Sequence, residues 1–202
     1  MKDLAERIER NRFVGREFLL WMWFESQVFE TNLAPSNGAR IALWIETRMA
    51  LSFEKEDTVI KSSTLLHSKE AKEALRQGKL PREARMFLST GEHEFTWVMK
   101  ADTLGTGSLK VPAELRKKDD EPNEVLYERM RLAEELEAIM EALYSDFLAL
   151  RLSDAWETDV LPCLRRFAQG KKVDDAAYLA SKQAVLGKRK GKSGAARADA
   201  AV

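Results

Sequence analysis

An uninterrupted apolar run, Phe18-Leu19-Leu20-Trp21-Met22-Trp23-Phe24, lies inside a longer stretch of helical periodicity and decides much of what this chain can become. Over the first 30 residues Leu4, Ile8, Val14, Phe18, Trp21 and Met22 fall near one stripe, while Arg7, Arg10, Arg12 and Arg16 lie mostly opposite it. That is the pattern of a helix with one apolar face. Within the run, however, apolar side chains point in every direction. This part of the helix must be covered on more than one side, by the sheet of its own domain or by a second subunit. A bilayer is not the cover, because a helix needs about 20 apolar residues to cross one. The opening residues, Met1-Lys2-Asp3-Leu4-Ala5-Glu6-Arg7, mix both signs of charge and lead into no leader-like apolar stretch, so the expected location is the cytoplasm.

The pattern then changes. Pro35-Ser36-Asn37-Gly38 has the chemistry of a turn. Ile41 to Ile45 and Arg48 to Phe53 read as two short strands around a hairpin at Glu46-Thr47, and Thr58-Val59-Ile60 reads as a third. Ser68 is a candidate N-cap for a short helix to about Gln77, which Gly78 stops. Arg85 to Leu88, Glu94 to Lys100 and Ser108 to Val111 are further strand-length runs, separated by Ser89-Thr90-Gly91 and Gly105-Thr106-Gly107. Pro122 opens a long helix in which Leu126, Met130, Ala133, Leu136, Met140, Leu143, Phe147 and Leu150 recur at intervals of three and four. Ser153 is a candidate cap for a following helix lined by Trp156, Val160, Leu164 and Phe167 and kinked at Pro162. The expectation is an α+β fold: antiparallel sheet of about six short strands, packed against an N-terminal helix and a long C-terminal helical hairpin. Residues 1–180 form a single domain in this reading. Residues 181–202, poor in large apolar side chains, form a disordered basic tail.

Charge is segregated along the chain although it cancels overall. Lys182 to Arg197 holds six basic residues and no acidic one, which leaves 27 basic against 32 acidic in Met1 to Ser181. Within that body Lys69 to Lys118 holds eleven basic and seven acidic residues, and Asp119 to Asp146 holds two basic and ten acidic. A basic middle therefore precedes an acidic helix. The single cysteine, Cys163, sits between leucines and reads as a buried thiol. Glu92-His93-Glu94, with Asp102, is the one cluster with metal-ligand chemistry, and a turn rich in polar residues explains it without any ion. Phosphate-binding loops, paired-cysteine zinc patterns and nucleophile turns do not occur. The expectation is a non-enzymatic binding protein without metal, cofactor or small-molecule substrate.

The order of hairpin, Val59-Ile60-Lys61, a short helix ending Glu73-Ala74-Leu75-Arg76-Gln77-Gly78-Lys79, then Phe95 to Lys100 and Gly107-Ser108-Leu109-Lys110 resembles the C-terminal half of the recombination-associated protein RdgC family. With looser matching the resemblance runs from about Phe18 to Phe147. It implies a cytoplasmic, nucleoid-associated homodimer that holds double-stranded DNA without sequence preference and affects recombination. Lys79 and Lys110 match the family's pattern best. The basic tail is not part of that pattern, and Lys61-Ser62-Ser63-Thr64 is less basic than the family's stretch after the strand.

DNA rewards clustered cations because its backbone carries one charge per ~1.7 Å, and neutralising phosphates releases counterions. Lys79, Arg82, Arg85, Lys100, Lys110, Arg116, Lys117 and Lys118 form one such group, provided the second hairpin packs beside the end of the short helix. Lys188, Arg189 and Lys190, with Lys192 and Arg197, form another on the tail. The plainer reading of the first group is the solvated rim of a sheet, and of the second a solubilising tail. The acidic body leaves open an interaction module that keeps the fold without touching DNA. A metal-dependent nuclease centred on Glu92 and His93 is the third alternative. Trp21, Trp23, Trp44, Trp97 and Trp156 read as core or interface residues before base-stacking platforms.

Overall fold

The apolar girdle of the first helix is covered from two directions, by a sheet and by other helices. This is seen in a computed structural model that describes the backbone of residues 2–29, 35, 38, 40–53, 56–61, 69–115, 120–173 and 175–198. Helix α1 (Lys2–Phe29) packs on strands β1 (Ala42–Phe53) and β3 (Leu80–Ser89), and its other flanks meet α3 (Pro122–Arg151) and α4 (Leu161–Ala168). Phe18, Leu19, Trp21, Met22, Trp23 and Phe24 are at most 1% exposed as a result. No helix among the described residues is long and apolar enough to cross a membrane.

With β2 (Glu56–Lys61), β4 (Glu94–Lys100) and β5 (Gly105–Lys110) the strands form one antiparallel five-stranded sheet in the order β2-β1-β3-β4-β5. The fold is α+β, as the sequence implies. The strand count falls from six to five because Ile41–Ile45 and Arg48–Phe53 belong to one strand. The expected hairpin at Glu46-Thr47 is instead an irregularity in β1, between the Ile45–Met86 and Met49–Ala84 pairs. Neither residue favours the positive φ that a two-residue hairpin needs, so the chain bulges and continues. Strand β3 starts earlier than its alternation suggests, and Pro81 lies beside a second register shift opposite Leu51. The turn expected at Gly105-Thr106-Gly107 is displaced to Ala101–Leu104, where Leu104 has φ 50°, and the two glycines pair within β5.

Helix α2 (Lys69–Arg76) ends as its sequence dictates. Gly78 takes φ 83°, its N–H donates to the Leu75 carbonyl at 2.9 Å, and the Lys79 N–H donates to Ala74 at 3.0 Å. The cap expected of Ser68 lies outside the described residues. At Gly15 the backbone of α1 passes so close to the end of β4 that a Cβ would lie 1.9 Å from the Ala101 carbonyl oxygen.

After α3 the Ser153 hydroxyl donates back to the Leu150 carbonyl at 2.7 Å, and no N-cap bond forms there. A π-helical turn, Trp156–Val160, precedes α4, with the Leu161 N–H donating to the Trp156 carbonyl. Pro162, in the first turn of α4, has no N–H to continue a regular ladder, which places the irregularity one turn earlier. A last helix, α5 (Asp175–Ala198), goes unrecognised in the sequence. The boundary expected at residue 181 falls inside it. The Ser181 hydroxyl donates to Asp159 at 2.7 Å and the Lys182 ammonium to Glu25 at 2.5 Å, so both residues belong to the packed body. One apolar core runs from Phe18 on α1 to Tyr178 on α5.

Candidate nucleic-acid interface

Strand alternation sorts the sheet into two faces. One carries Leu43, Ile45, Met49, Ile60, Ala84, Met86, Leu88, Phe95, Trp97 and Met99, none more than 3% exposed, and the helices pack there. The other face carries the alternate residues, which remain half-buried or exposed for most of its extent. Cross-strand register fixes its rows. Trp44 pairs with Phe87, Phe87 with Thr96, and Thr96 with Lys110. In the next row Arg85 pairs with Val98 and Val98 with Gly107. Beyond it Val59 pairs with Ala50, Ala50 with Glu83, and Glu83 with Lys100.

Three residues singled out in the sequence, Arg85, Lys100 and Lys110, therefore share this open face. Arg48 joins them from the irregular stretch of β1, its guanidinium 3.7 Å from the Glu83 carboxylate. Lys100 and Lys110 are exposed and make no ion pair among the described residues. Lys79 lies at the end of α2 instead, where its ammonium donates to the Thr58 hydroxyl at 2.9 Å. Arg82 sits at the register shift of β3, its carbonyl accepting from the Ala101 N–H at 2.8 Å. Arg116, Lys117 and Lys118 lie outside the described residues. Lys188, Arg189 and Lys190 have backbone within α5, and their side chains lie outside the description.

Sequence reasoning missed Arg48, and it read all five tryptophans alike as core or interface residues. Trp21, Trp23, Trp97 and Trp156 are indeed at most 1% exposed. Trp44 is half-buried on the open face, its ring stacked on Phe87 with centroids 4.2 Å apart and planes 20° from parallel. The alternation of Trp44 with Leu43 and Ile45, and of Phe87 with Met86 and Leu88, carried that signal once the neighbours were known to face inward.

The Glu92-His93-Glu94 cluster does not gather ligands. His93 Nδ1 lies 2.9 Å from the Glu135 carboxylate, tying the β3–β4 turn to α3, while Asp102 faces Arg16 at 3.9 Å. Among the described residues no three His, Cys, Asp or Glu side chains come together as a metal site. Cys163 is buried.

The most perturbed charges lie away from the sheet, between α1 and α5. The Tyr178 hydroxyl donates to the Glu25 carboxylate and accepts from the Trp21 indole N–H at 2.8 Å, and the Lys182 ammonium sits 5.5 Å from the Trp21 ring centroid. Glu25 is 0% exposed. Burial raises its pKa above the ordinary carboxylate value; Lys182 and the Tyr178 hydroxyl act in the opposite sense, and Asp146 adds to the rise. Burial, with the Glu25 charge beside it, likewise pushes the Tyr178 phenol well above its usual range. These groups close a seam between α1 and α5, with Glu25 and Tyr178 fully buried in it. No protein-family model, curated protein or solved structure matches the chain.

Proposed function

We propose that this chain is a non-enzymatic DNA-binding protein that holds phosphates, without sequence preference, on the open face of its sheet. The observation that carries the reading is the sharing, by Arg48, Arg85, Lys100 and Lys110, of one sheet face on which no described helix packs, against the carboxylates of Glu83 and Glu94. Charge density suits this partner because phosphate contacts need no base readout and gain from counterion release. The resemblance to the RdgC family adds the rest of the proposal: a duplex substrate, a homodimer, a cytoplasmic and nucleoid-associated setting, and an effect on recombination. Lys188, Arg189 and Lys190 supply a second cationic segment.

Fluorescence anisotropy with a random-sequence duplex at several salt concentrations tests this. The logarithm of affinity falls linearly with that of salt, and Lys100→Ala with Lys110→Ala reduces the slope by about 2, at ~0.9 for each phosphate no longer neutralised. Absence of binding at low salt, or an unchanged slope both in that variant and in a chain ending at Gly187, overturns the proposal.

A second reading, an interaction module of similar fold that does not touch DNA, draws on a different surface. Leu126, Tyr127 and Met130 on the first turns of α3 are 55%, 69% and 49% exposed, an apolar patch of the kind that partners cover. Light scattering on Leu126→Lys with Met130→Lys tests it: a dimer converted to a monomer, with DNA binding absent throughout, favours this reading over the first.

A further inference from the structure

The open face carries more than cations. Trp44 and Phe87 stack on one another towards one end of the strands, in the row that ends at Lys110, with Arg85 and Val98 in the adjoining row. Successive residues on one face of a strand are ~6.8 Å apart and neighbouring strands ~4.8 Å apart, so aromatic rings and cations alternate here at short intervals. Resting on the nucleic-acid reading above, we propose that the Trp44–Phe87 pair is a stacking site for unpaired bases, and that a single strand therefore makes an interaction on this face that an intact duplex does not.

The chemistry separates the two forms. In a duplex each base is covered above and below by its neighbours, and exposing one has a cost of a few kcal/mol. A single strand offers its base faces directly, and stacking on an aromatic side chain is indifferent to base identity because every base has a π-face. The phosphates of the same strand meet Lys100 and Lys110, both exposed, while Glu83 is held by Arg48 at 3.7 Å. Charge complementarity selects a polyanion, and the aromatic pair selects one with accessible bases. A cross-strand aromatic pair also stabilises a sheet by itself. The measurement must therefore separate binding from folding.

Anisotropy is read with a labelled oligothymidylate and with a duplex of equal length, on the full chain and on Trp44→Leu, Trp44→Phe and Lys100→Ala with Lys110→Ala. Trp44→Leu is expected to weaken single-strand binding about tenfold while duplex binding stays within about twofold. Trp44→Phe, which retains an aromatic face, keeps most single-strand affinity, and the lysine pair weakens both substrates. Tryptophan fluorescence of the unaltered chain gives a readout that requires no leucine variant to fold: oligothymidylate quenches part of the emission, and the quench is lost in Trp44→Phe. Equal losses on both substrates, unchanged single-strand affinity in Trp44→Leu, or a quench that survives in Trp44→Phe overturns the stacking site while salt-dependent duplex binding still stands. Absence of binding to either substrate overturns the stacking site and the DNA reading together.

Discussion

Glu25 has no contact with solvent and depends on Lys182 and Tyr178 for its charge. Removing one member of a buried pair leaves the other uncompensated, a loss of about 3 kcal/mol or more. Lys182→Met should therefore be strongly destabilising, and adding Glu25→Leu should recover much of the loss, as read by urea unfolding of the single and double variants. The pH dependence has a definite sign. Because the folded pKa of Glu25 is raised, its contribution to stability is fully present below the unfolded value of about 4.5 and is lost as pH rises through the folded one. Between pH 4.5 and neutrality stability should thus fall more steeply with pH in the native chain than in Glu25→Gln. Two glycines make a second contrast. Gly15→Ala forces a methyl against the Ala101 carbonyl and should cost about 2 kcal/mol or more, whereas Gly187, with open space around its Cβ position on α5, should gain about 0.5–1 kcal/mol from the same change. Thermal melts of the two variants moving in the same direction would contradict this account.

At the level of elements, helices were legible where one periodicity ran unbroken. Helix α1, α2 with its Gly78 stop, and α3 from Pro122 all follow from their sequences. What escaped was set by neighbours. Glu46 and Thr47 look like a turn because they interrupt an apolar run, yet β1 continues through them because β3 pairs on both sides of the irregularity. Helix α5 is poor in large apolar residues beyond Leu186, and much of its anchorage is polar, through Tyr178, Ser181 and Lys182 to partners on α1 and the π-helical turn. The apolar repeat of α3 is also not one surface. Leu136, Met140, Leu143, Phe147 and Leu150 are buried, while Leu126 and Met130 stand clear of the core. Phe147 touches Phe18, Trp21, Tyr144 and Trp156, so Phe147→Ala should lose about 3–5 kcal/mol. Leu126→Ala should stay within about 0.5 kcal/mol. Denaturant midpoints distinguish these positions, which the sequence repeat treats alike.

Among the described residues the sheet is one layer and the helices are the other, which leaves a broad face of the sheet without a helical cover. The candidate site was half legible for that reason. Lys100 and Lys110 follow from composition, but that Arg85 joins them and Lys79 does not depends on register, which no local pattern encodes. The same layering predicts where the chain can be shortened. Ending it at Gly187 retains the polar anchors of α5 and should leave the melting temperature nearly unchanged. Ending it at Ala180 removes the Lys182 partner of Glu25 and should cost about 3 kcal/mol. The seam between α1 and α5 joins residues 157 positions apart. During synthesis the carboxylate of Glu25 is consequently made long before the lysine that neutralises it. Until that lysine emerges from the ribosome, Trp21 lacks the cover that Tyr178 and Lys182 give it.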